Sequence, residues 1–341
     1  MSSPRSVCPV CLAPIPAAHE TVDGETFLVK ACPEHGAFRT VVWRGPPALD
    51  GWRRPKVPSP PAAPATAAEH GCPLDCGLCP AHRQHTCTAV LELTWRCNLG
   101  CPVCFAAADD AAAPHEPTPH EPTLNEVGRL LDRVLAASGR CNLQFSGGEP
   151  TVREDLDECI RLAKAKGLPF VQVNTNGLRL GREQGYARHL AEAGLDSAFL
   201  QFDGVDDDAH EALRGRPLLR DKLAAIDALG AAGVGVVLVP TVVPGVNDRQ
   251  VGDILRLAAQ LSPVVRGVHY QPVSYFGRYP EPPADDARIT LPELMRLLQE
   301  QTGGMVRAAD FAPPGCEHSQ CSMHANYVVG QDGSLTRLGA G

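Results

Sequence analysis

Cys97-Asn-Leu-Gly-Cys101-Pro-Val-Cys104-Phe105 places three cysteines within one short segment. The apolar residues 89–93 just before it predict a β-strand, so the cysteines fall in the loop that follows a strand. Three thiolates on one loop can ligate three irons of a [4Fe–4S] cluster and leave the fourth iron open to another ligand. The segment therefore predicts a catalytic iron–sulfur site at the end of the first strand of a larger sheet.

Strands and helices are predicted to alternate from this point along the chain. Further strands are predicted at residues 142–145, 170–173, 198–202, 234–239 and 265–270. Helices are predicted at residues 124–137 (with Thr123 as N-cap), 156–165, 184–193, 218–231 and 251–261. About six β/α units imply a parallel sheet with functional residues at the carboxyl ends of its strands. We therefore predict an α/β fold with a partial (β/α)6 TIM-type barrel.

A second motif, Ser146-Gly147-Gly148-Glu149-Pro150, follows the second predicted strand. A glycine pair lets the backbone approach a ligand closely, and a glutamate supplies an anion for an ammonium group. The cysteine spacing, the flanking Val103 and Phe105, and this glycine motif together resemble the radical S-adenosylmethionine (SAM) superfamily. The resemblance implies a catalytic [4Fe–4S] cluster that is held by Cys97, Cys101 and Cys104. It also implies that Gly147, Gly148 and Glu149 hold the amino group of SAM.

The same resemblance implies further SAM contacts where later strands end. The residues expected to contribute are Phe105, Asn176, Gln201, Asp203 and Gln271. The polar residues among them are equally compatible with ordinary caps at strand ends.

Residues 1–45 are predicted to form a small N-terminal metal-binding ribbon. Two ligand pairs, Cys8-Pro-Val-Cys11 and Cys32-Pro-Glu-His35, follow the pattern of a zinc ribbon or a rubredoxin-like iron site. A module of this size needs a metal to be stable, which favours one site over two unrelated pairs. The spacing does not choose between zinc and iron.

The other cysteines of the chain also come in short-spaced groups, which favours metal binding over disulfides. A Pro/Ala-rich linker, 46–70, precedes a segment at 71–88, and a segment at 281–341 follows the core barrel at 89–280. The cysteines of these two flanking segments are Cys72, Cys76, Cys79, Cys87, Cys316 and Cys321. Cys141 and Cys159 are predicted to be small core residues.

The order of these modules resembles one branch of the superfamily, which includes archaeal tetraether lipid synthase and a methyltransferase for a pterin precursor. That resemblance implies one or more auxiliary [4Fe–4S] clusters on Cys72, Cys76 and Cys79. The fourth ligand is either Cys87 or one of the C-terminal pair Cys316 and Cys321. If that pair does not complete this cluster, it would help to hold a third one. Free buried thiols are the alternative interpretation of that pair.

The implied activity is reductive cleavage of SAM to a 5′-deoxyadenosyl radical that abstracts hydrogen from an unactivated carbon. Methylation or C–C coupling of a lipid or pterin-like small molecule would follow, with an electron donor such as flavodoxin or ferredoxin. A peptide-modifying maturase is an alternative, although such enzymes usually carry their extra cysteines after the barrel. A non-enzymatic electron carrier or scaffold is another, but it would not need the glycine motif.

The bulk composition limits partners and location. A net charge of -8 argues against nucleic acid as a partner. The sequence contains no run of 18 or more apolar residues, so no membrane-spanning segment is predicted. Peripheral contact with a membrane is expected only if the substrate is a lipid. The N-terminus lacks the apolar stretch of a secretory signal, which predicts a cytoplasmic protein. A predicted hairpin begins at Tyr327, close to the end of the chain, so we expect a truncated C-terminal segment.

Overall fold

The computed structural model describes residues 5–55, 57–69, 71, 75, 78–84, 86–108, 120–275, 278–279, 284–315 and 317–339. The chain forms two compact units. The first consists of Met1–Pro55, Val242–Gly252 and Pro283–Gly341, and the second of Lys56–Thr241 and Asp253–Pro282. Segments that are far apart in the sequence therefore build the first unit.

The N-terminal part of the first unit is an antiparallel sheet whose strand order follows the chain. Its strands are β1 (Arg5–Val7), β2 (Pro14–Val22), β3 (Glu25–Cys32) and β4 (Gly36–Arg44). Phe27 on β3 lies opposite Val41 on β4, and both side chains are buried. Asp23 and Gly24 both have positive φ in the turn between β2 and β3, which allows a tight hairpin there.

The second unit is built on a sheet of six parallel strands. They are β5 (Thr88–Thr94), β6 (Asn142–Gly147), β7 (Val171–Thr175), β8 (Ser197–Gln201), β9 (Gly235–Val239) and β11 (Val265–Val268). Two-residue strands β10 (Thr241–Val242) and β12 (Gln271–Pro272) complete the chain order. In the six-stranded sheet each strand pairs in parallel with the next one along the chain. This arrangement confirms the predicted partial (β/α)6 barrel.

The helices between these strands carry the apolar residues of the barrel core. They are α1 (Leu124–Ser138), α2 (Leu156–Ala165), α3 (Leu178–Arg182), α4 (Tyr186–Ala193), α5 (Asp207–Arg214), α6 (Leu219–Ala231) and α7 (Val251–Gln260). Thr123 caps α1 as predicted, because its hydroxyl accepts a hydrogen bond from the Glu126 backbone N–H at 3.3 Å. None of the described helices is long and apolar enough to cross a lipid bilayer.

The C-terminal part of the first unit adds a helix and a hairpin. Helix α8 (Leu291–Gln301) begins at a capping box formed by Thr290 and Glu293. Its residues Leu291 and Met295 pack in one apolar cluster with Trp43 and Trp52, whose rings lie 5.8 Å apart. Strands β13 (Tyr327–Val329) and β14 (Leu335–Arg337) pair in antiparallel fashion, so the predicted hairpin is confirmed.

Candidate functional site

The three-cysteine loop follows β5 directly and therefore lies at the carboxyl edge of the parallel sheet. The sulfur atoms of Cys97 and Cys101 lie 3.6 and 3.3 Å from the same carbonyl oxygen, that of Leu99. The loop is part of a small apolar cluster of Leu99, Cys101, Leu178 and Leu218, with Cys97 and Cys104 packed against it. The three predicted cluster ligands therefore lie on one loop and share one small apolar cluster.

Burial strongly affects the thiols of this loop. It raises the pKa of Cys97 to about 11, and Glu149 and the two neighbouring thiols act in the same direction. Burial also raises the pKa of Cys101, against the opposite effect of the Arg214 guanidinium. At neutral pH the thiols of Cys97 and Cys101 keep their protons unless a metal displaces them.

The glycine pair after β6 packs against the backbone that leads into the cysteine loop. Gly148 donates its N–H to the Thr94 carbonyl at 2.7 Å, and Glu149 donates its N–H to the Arg96 carbonyl at 2.9 Å. Gly147 has a φ of 130°, and a Cβ there would lie 2.2 Å from the Thr94 oxygen. A Cβ on Gly148 would lie 2.4 Å from the Arg96 oxygen. Only glycine allows this close backbone approach.

The Glu149 side chain is buried and joins the ends of β6 and β7. One carboxylate oxygen accepts hydrogen bonds from the Thr151 hydroxyl at 2.6 Å and the Thr175 hydroxyl at 2.8 Å. The other accepts the Asn176 N–H at 2.6 Å. These contacts orient the two strand ends toward each other, and the role of Glu149 toward a SAM ammonium stays a prediction.

A buried lysine joins two of the predicted cofactor residues. The Lys222 ammonium donates to the Asn176 carbonyl at 2.5 Å and to the Gln201 side-chain oxygen at 2.7 Å. Asn176 in turn donates its side-chain amide to Asn98 of the cysteine loop at 2.7 Å. Burial lowers the pKa of Lys222 to about 8, although Asp203 opposes this effect. A buried titratable group with a strongly shifted pKa, beside residues predicted to bind a cofactor, is a candidate functional residue.

Sequence reasoning missed Lys222, but its position carries a signal. Lys222 shares the buried face of α6 with Ala225, Ile226 and Leu229, at helical spacing. A lysine in such an apolar row is unusual because a buried charge needs a partner.

Asp203 is fully buried and forms an ion pair with Arg214. The Arg214 Nε and Nη2 atoms lie 2.7 and 2.9 Å from the two carboxylate oxygens. Asp203 also accepts the Thr241 N–H at 3.0 Å, and the Gln201 amide contacts its carboxylate. The predicted contact between Asp203 and SAM stays a prediction.

The two remaining predicted cofactor residues lie at the edge of the site. Phe105 follows the last cysteine and is 62% exposed. Gln271 is half-buried on β12, and its N–H donates to the Pro240 carbonyl at 2.9 Å. Both assignments stay predictions.

The N-terminal ribbon holds a second candidate site. The ligand atoms of Cys8, Cys11, Cys32 and His35 all lie within 4.8 Å of one another, and no other part of the described chain brings three or more such ligands so close. The Cys11 and Cys32 sulfurs lie 3.9 Å apart, and the Cys32 sulfur lies 3.4 Å from His35 Nδ1. Tetrahedral zinc with Zn–S bonds near 2.3 Å would separate two sulfurs by about 3.8 Å. These four residues therefore fit one zinc ion.

The auxiliary cysteines are only partly described. Cys72, Cys76 and Cys316 lie outside the described residues. Cys79 is buried, Cys87 is exposed just before β5, and Cys321 is exposed. Cys141 and Cys159 are buried within the barrel core, in agreement with their predicted role.

Comparison with known proteins gives family matches over the N-terminal ribbon and over the barrel. Residues 91–258 match the Radical SAM superfamily, and residues 1–44 match the HMPTM N-terminal zinc ribbon domain. The chain is 40% identical over 310 residues to 7,8-dihydro-6-hydroxymethylpterin dimethyltransferase of Methanocaldococcus jannaschii. That alignment covers 90% of this chain and 60% of the relative, so the chain spans less than two thirds of the relative's length.

More distant matches cover the barrel. GTP 3′,8-cyclase 2 of Mycobacterium tuberculosis is 31% identical over 185 residues, which are 54% of this chain and 50% of that protein. The crystal structure of SuiB of Streptococcus suis bound to precursor peptide SuiA has a TM-score of 0.52 at 15% identity. It covers 64% of this chain and 46% of that chain, and it shows a shared fold. With residues 91–258 as its radical SAM domain, this chain belongs to the radical SAM superfamily.

Proposed function

We propose that the chain is a radical SAM methyltransferase that acts on a pterin-like small molecule. One observation carries this proposal. The three-cysteine loop, the glycine pair and the buried Lys222 with its partners Asn176 and Gln201 all lie at the same edge of the parallel sheet. The substrate class rests on the 40% identity to a pterin dimethyltransferase. No contact among the described residues favours a lipid substrate or C–C coupling.

In this proposal each part of the site has a separate task. Cys97, Cys101 and Cys104 hold the [4Fe–4S] cluster, which would supply the electron that splits SAM into methionine and the 5′-deoxyadenosyl radical. Lys222 offers an ammonium to the SAM carboxylate, and Glu149 keeps the ends of β6 and β7 in place beside it. The apolar residues around the loop limit the access of water to the reacting groups.

An auxiliary cluster that uses Cys87 would lie far from this chemistry. Cys87 precedes β5 and Cys97 follows it, and a strand of 7 residues spans roughly 23 Å. A cluster that uses Cys87 would therefore sit at the opposite end of the strand from the catalytic loop. We propose that such a cluster does not contact the substrate.

The ribbon is proposed to hold zinc, not iron. Three thiolates and one imidazole form a common structural zinc set, and the short distances among their ligand atoms suit one ion. Metal analysis of the purified protein should give about one zinc per chain; one iron at this site would contradict the assignment.

The activity is tested by anaerobic reconstitution with iron and sulfide, followed by SAM carrying a deuterated methyl group and a reductant. One SAM should give methionine and 5′-deoxyadenosine. A second SAM should give S-adenosylhomocysteine and a deuterated methyl group on 7,8-dihydro-6-hydroxymethylpterin, detected by mass spectrometry, with the reductant supplying one electron for each step. Cys101→Ala should abolish 5′-deoxyadenosine and the methylated pterin. Cys159→Ala, a buried cysteine of the barrel core, is the matched control and should retain them.

Two results would contradict the proposal in different ways. Absence of 5′-deoxyadenosine from the reconstituted wild-type protein would refute the radical SAM activity. Formation of 5′-deoxyadenosine without methylation of the pterin would refute the substrate class alone.

A further inference from the structure

A segment beyond the last strand of the six-stranded sheet returns to the cysteine loop. Arg278 and Cys104 form an antiparallel β-bridge, with the Arg278 N–H 2.8 Å from the Cys104 carbonyl oxygen. The reciprocal hydrogen bond, from the Cys104 N–H to the Arg278 carbonyl, measures 2.9 Å. The backbone of the last predicted cluster ligand is therefore fixed by a residue that is far from it in the sequence.

The Arg278 side chain holds the same loop at two more points. Its Nε donates to the Cys101 carbonyl at 2.7 Å, and its Nη2 contacts the Ala108 carbonyl at 3.3 Å. Ala107, between these points, has a φ of 46°, a conformation that residues other than glycine rarely adopt. The guanidinium thus spans a strained part of the loop and fixes the carbonyls on either side of it.

A second arginine holds the loop independently. Arg214 donates through Nη1 to the Val103 carbonyl at 3.0 Å, while Asp203 binds the rest of its guanidinium. Arg214 needs that partner because its charge is buried. Carbonyls of Cys101, Val103 and Ala108 are consequently all bound by arginine side chains.

We propose that Arg278 is a positioning residue for the catalytic cluster. Its planar guanidinium fixes the loop in the shape that presents three sulfurs to one cluster, and its charge favours the reduced cluster over the oxidised one. Lysine cannot reproduce this role, because it is a point charge without the two-sided donor geometry. The inference rests on the proposed radical SAM function, since it assumes a cluster on this loop.

The test compares Arg278→Gln and Arg278→Lys with wild type after anaerobic reconstitution. Both variants keep the backbone bridge to Cys104, so only the guanidinium is changed. The measurements are iron content, the electron paramagnetic resonance spectrum of the reduced cluster, its midpoint potential and the rate of SAM cleavage. Arg182→Gln is the matched control, because this exposed arginine on α3 pairs with Asp221 at 2.6 Å on the surface.

We expect Arg278→Gln to alter the resonance spectrum, lower the midpoint potential and reduce kcat/KM for SAM cleavage about 100-fold. Arg278→Lys should keep a potential near that of wild type but still show the altered spectrum and a reduced rate. Arg182→Gln should match wild type in all four measurements.

The outcomes separate this inference from the proposed function. If wild type binds a cluster and a folded Arg278→Lys protein gives its spectrum and rate unchanged, the positioning role is wrong. The lysine variant decides this even if Arg278→Gln does not fold. If wild type itself binds no cluster on reconstitution, the proposed function fails instead.

Discussion

Lys222 places a fully buried ammonium group at the carboxyl ends of β7 and β8. Burial lowers its pKa from 10.5 to about 8, so the free protein loses this charge as the pH rises through that value. Between about pH 8 and 10.5 the unfolded chain keeps a proton that the folded chain has lost, so stability should rise with pH there. A bound carboxylate raises the pKa of the ammonium, so SAM binding should take up protons at alkaline pH.

Titration calorimetry of SAM in two buffers of different ionisation enthalpy measures this proton uptake. The amino group of SAM titrates in the same range, so the informative quantity is the difference between wild type and Lys222→Met. We expect wild type to take up roughly three-quarters of a proton more per SAM than Lys222→Met at about pH 8.5, and almost no more at about pH 6.5. Lys164→Met, which removes a partly exposed lysine paired with Asp196, should keep this extra uptake. Equal uptake by wild type and Lys222→Met at about pH 8.5 would rule out Lys222 as the group that binds the carboxylate.

Gly148 gives a second prediction for a single residue. A Cβ there would lie 2.4 Å from the Arg96 oxygen and 2.8 Å from the Trp95 oxygen, both of which are backbone atoms. Gly148→Ala must therefore push the glycine motif away from the cysteine loop, and we expect kcat/KM for SAM cleavage to fall roughly 100-fold. Gly128→Ala on α1 is the control, because its nearest contact would be an ordinary 3.6 Å to Leu162. Equal rates in both variants would contradict the close packing of the two loops.

Single residues differ in how far the sequence could predict them. Cys97, Cys101 and Cys104 can be predicted from their spacing alone, because a cluster held by three cysteines of one loop needs them close together in the sequence. Arg214 and Arg278 carry no such signal, since each contacts the loop only through its tertiary position. Their charges look like those of any surface arginine until the fold is known.

At the level of elements, α1 illustrates how much local sequence decides. Thr123 and Glu126 form a reciprocal capping box, and Val127 and Leu131 bury one face of the helix. Thr123→Ala should lower the free energy of unfolding by about 1 kcal/mol, because a backbone N–H loses its partner. Chemical denaturation measures this change. Asn125→Ala is the control, because Asn125 is exposed in the same first turn of α1, and it should not lower the free energy of unfolding. A loss equal to that of Thr123→Ala would refute the capping role.

Other elements differ from their predictions for local reasons. A helix was expected over residues 184–193, but α4 begins at Tyr186, because Gly185 adopts a positive φ of 84° before it. Helix α5 was not expected, since residues 207–214 have a strongly charged sequence with few apolar residues. It forms because Ala209 and Leu213 nevertheless share one buried face. Short helices of this kind depend on tertiary packing more than on propensity.

At the scale of the whole molecule, the assignment of chain segments to the two compact units was the hardest part to predict. The repeating β/α pattern indicated the barrel, because each strand pairs with the next one in the chain. The first unit has no such repeat, and it joins Met1–Pro55 with Val242–Gly252 and Pro283–Gly341. Trp43 packing with Met295 is one such contact, and an apolar residue in one segment does not identify its partner in another. The predicted module boundaries therefore stay predictions.

The ribbon gives the last prediction, because its stability depends on one metal more than on its core. The apolar cluster beside its ligands contains little more than Ile15 and Phe38, so the end of the sheet that carries the ligands has little core of its own. A metal at 100 times its dissociation constant adds about 2.7 kcal/mol of stability. His35→Ala removes one of four ligands, so amide exchange in β2–β4 should accelerate roughly 100-fold, while the strands of the barrel sheet keep their protection.

Hydrogen–deuterium exchange with mass spectrometry resolves these two regions in the intact 341-residue chain. His19→Ala on the exposed side of β2 is the matched control, and its exchange should equal that of wild type. A chelator added to wild type should reproduce the effect of His35→Ala, because both remove the same constraint. If His35→Ala left the ribbon protected, its antiparallel pairing alone would have to order it, and the metal would not be structural.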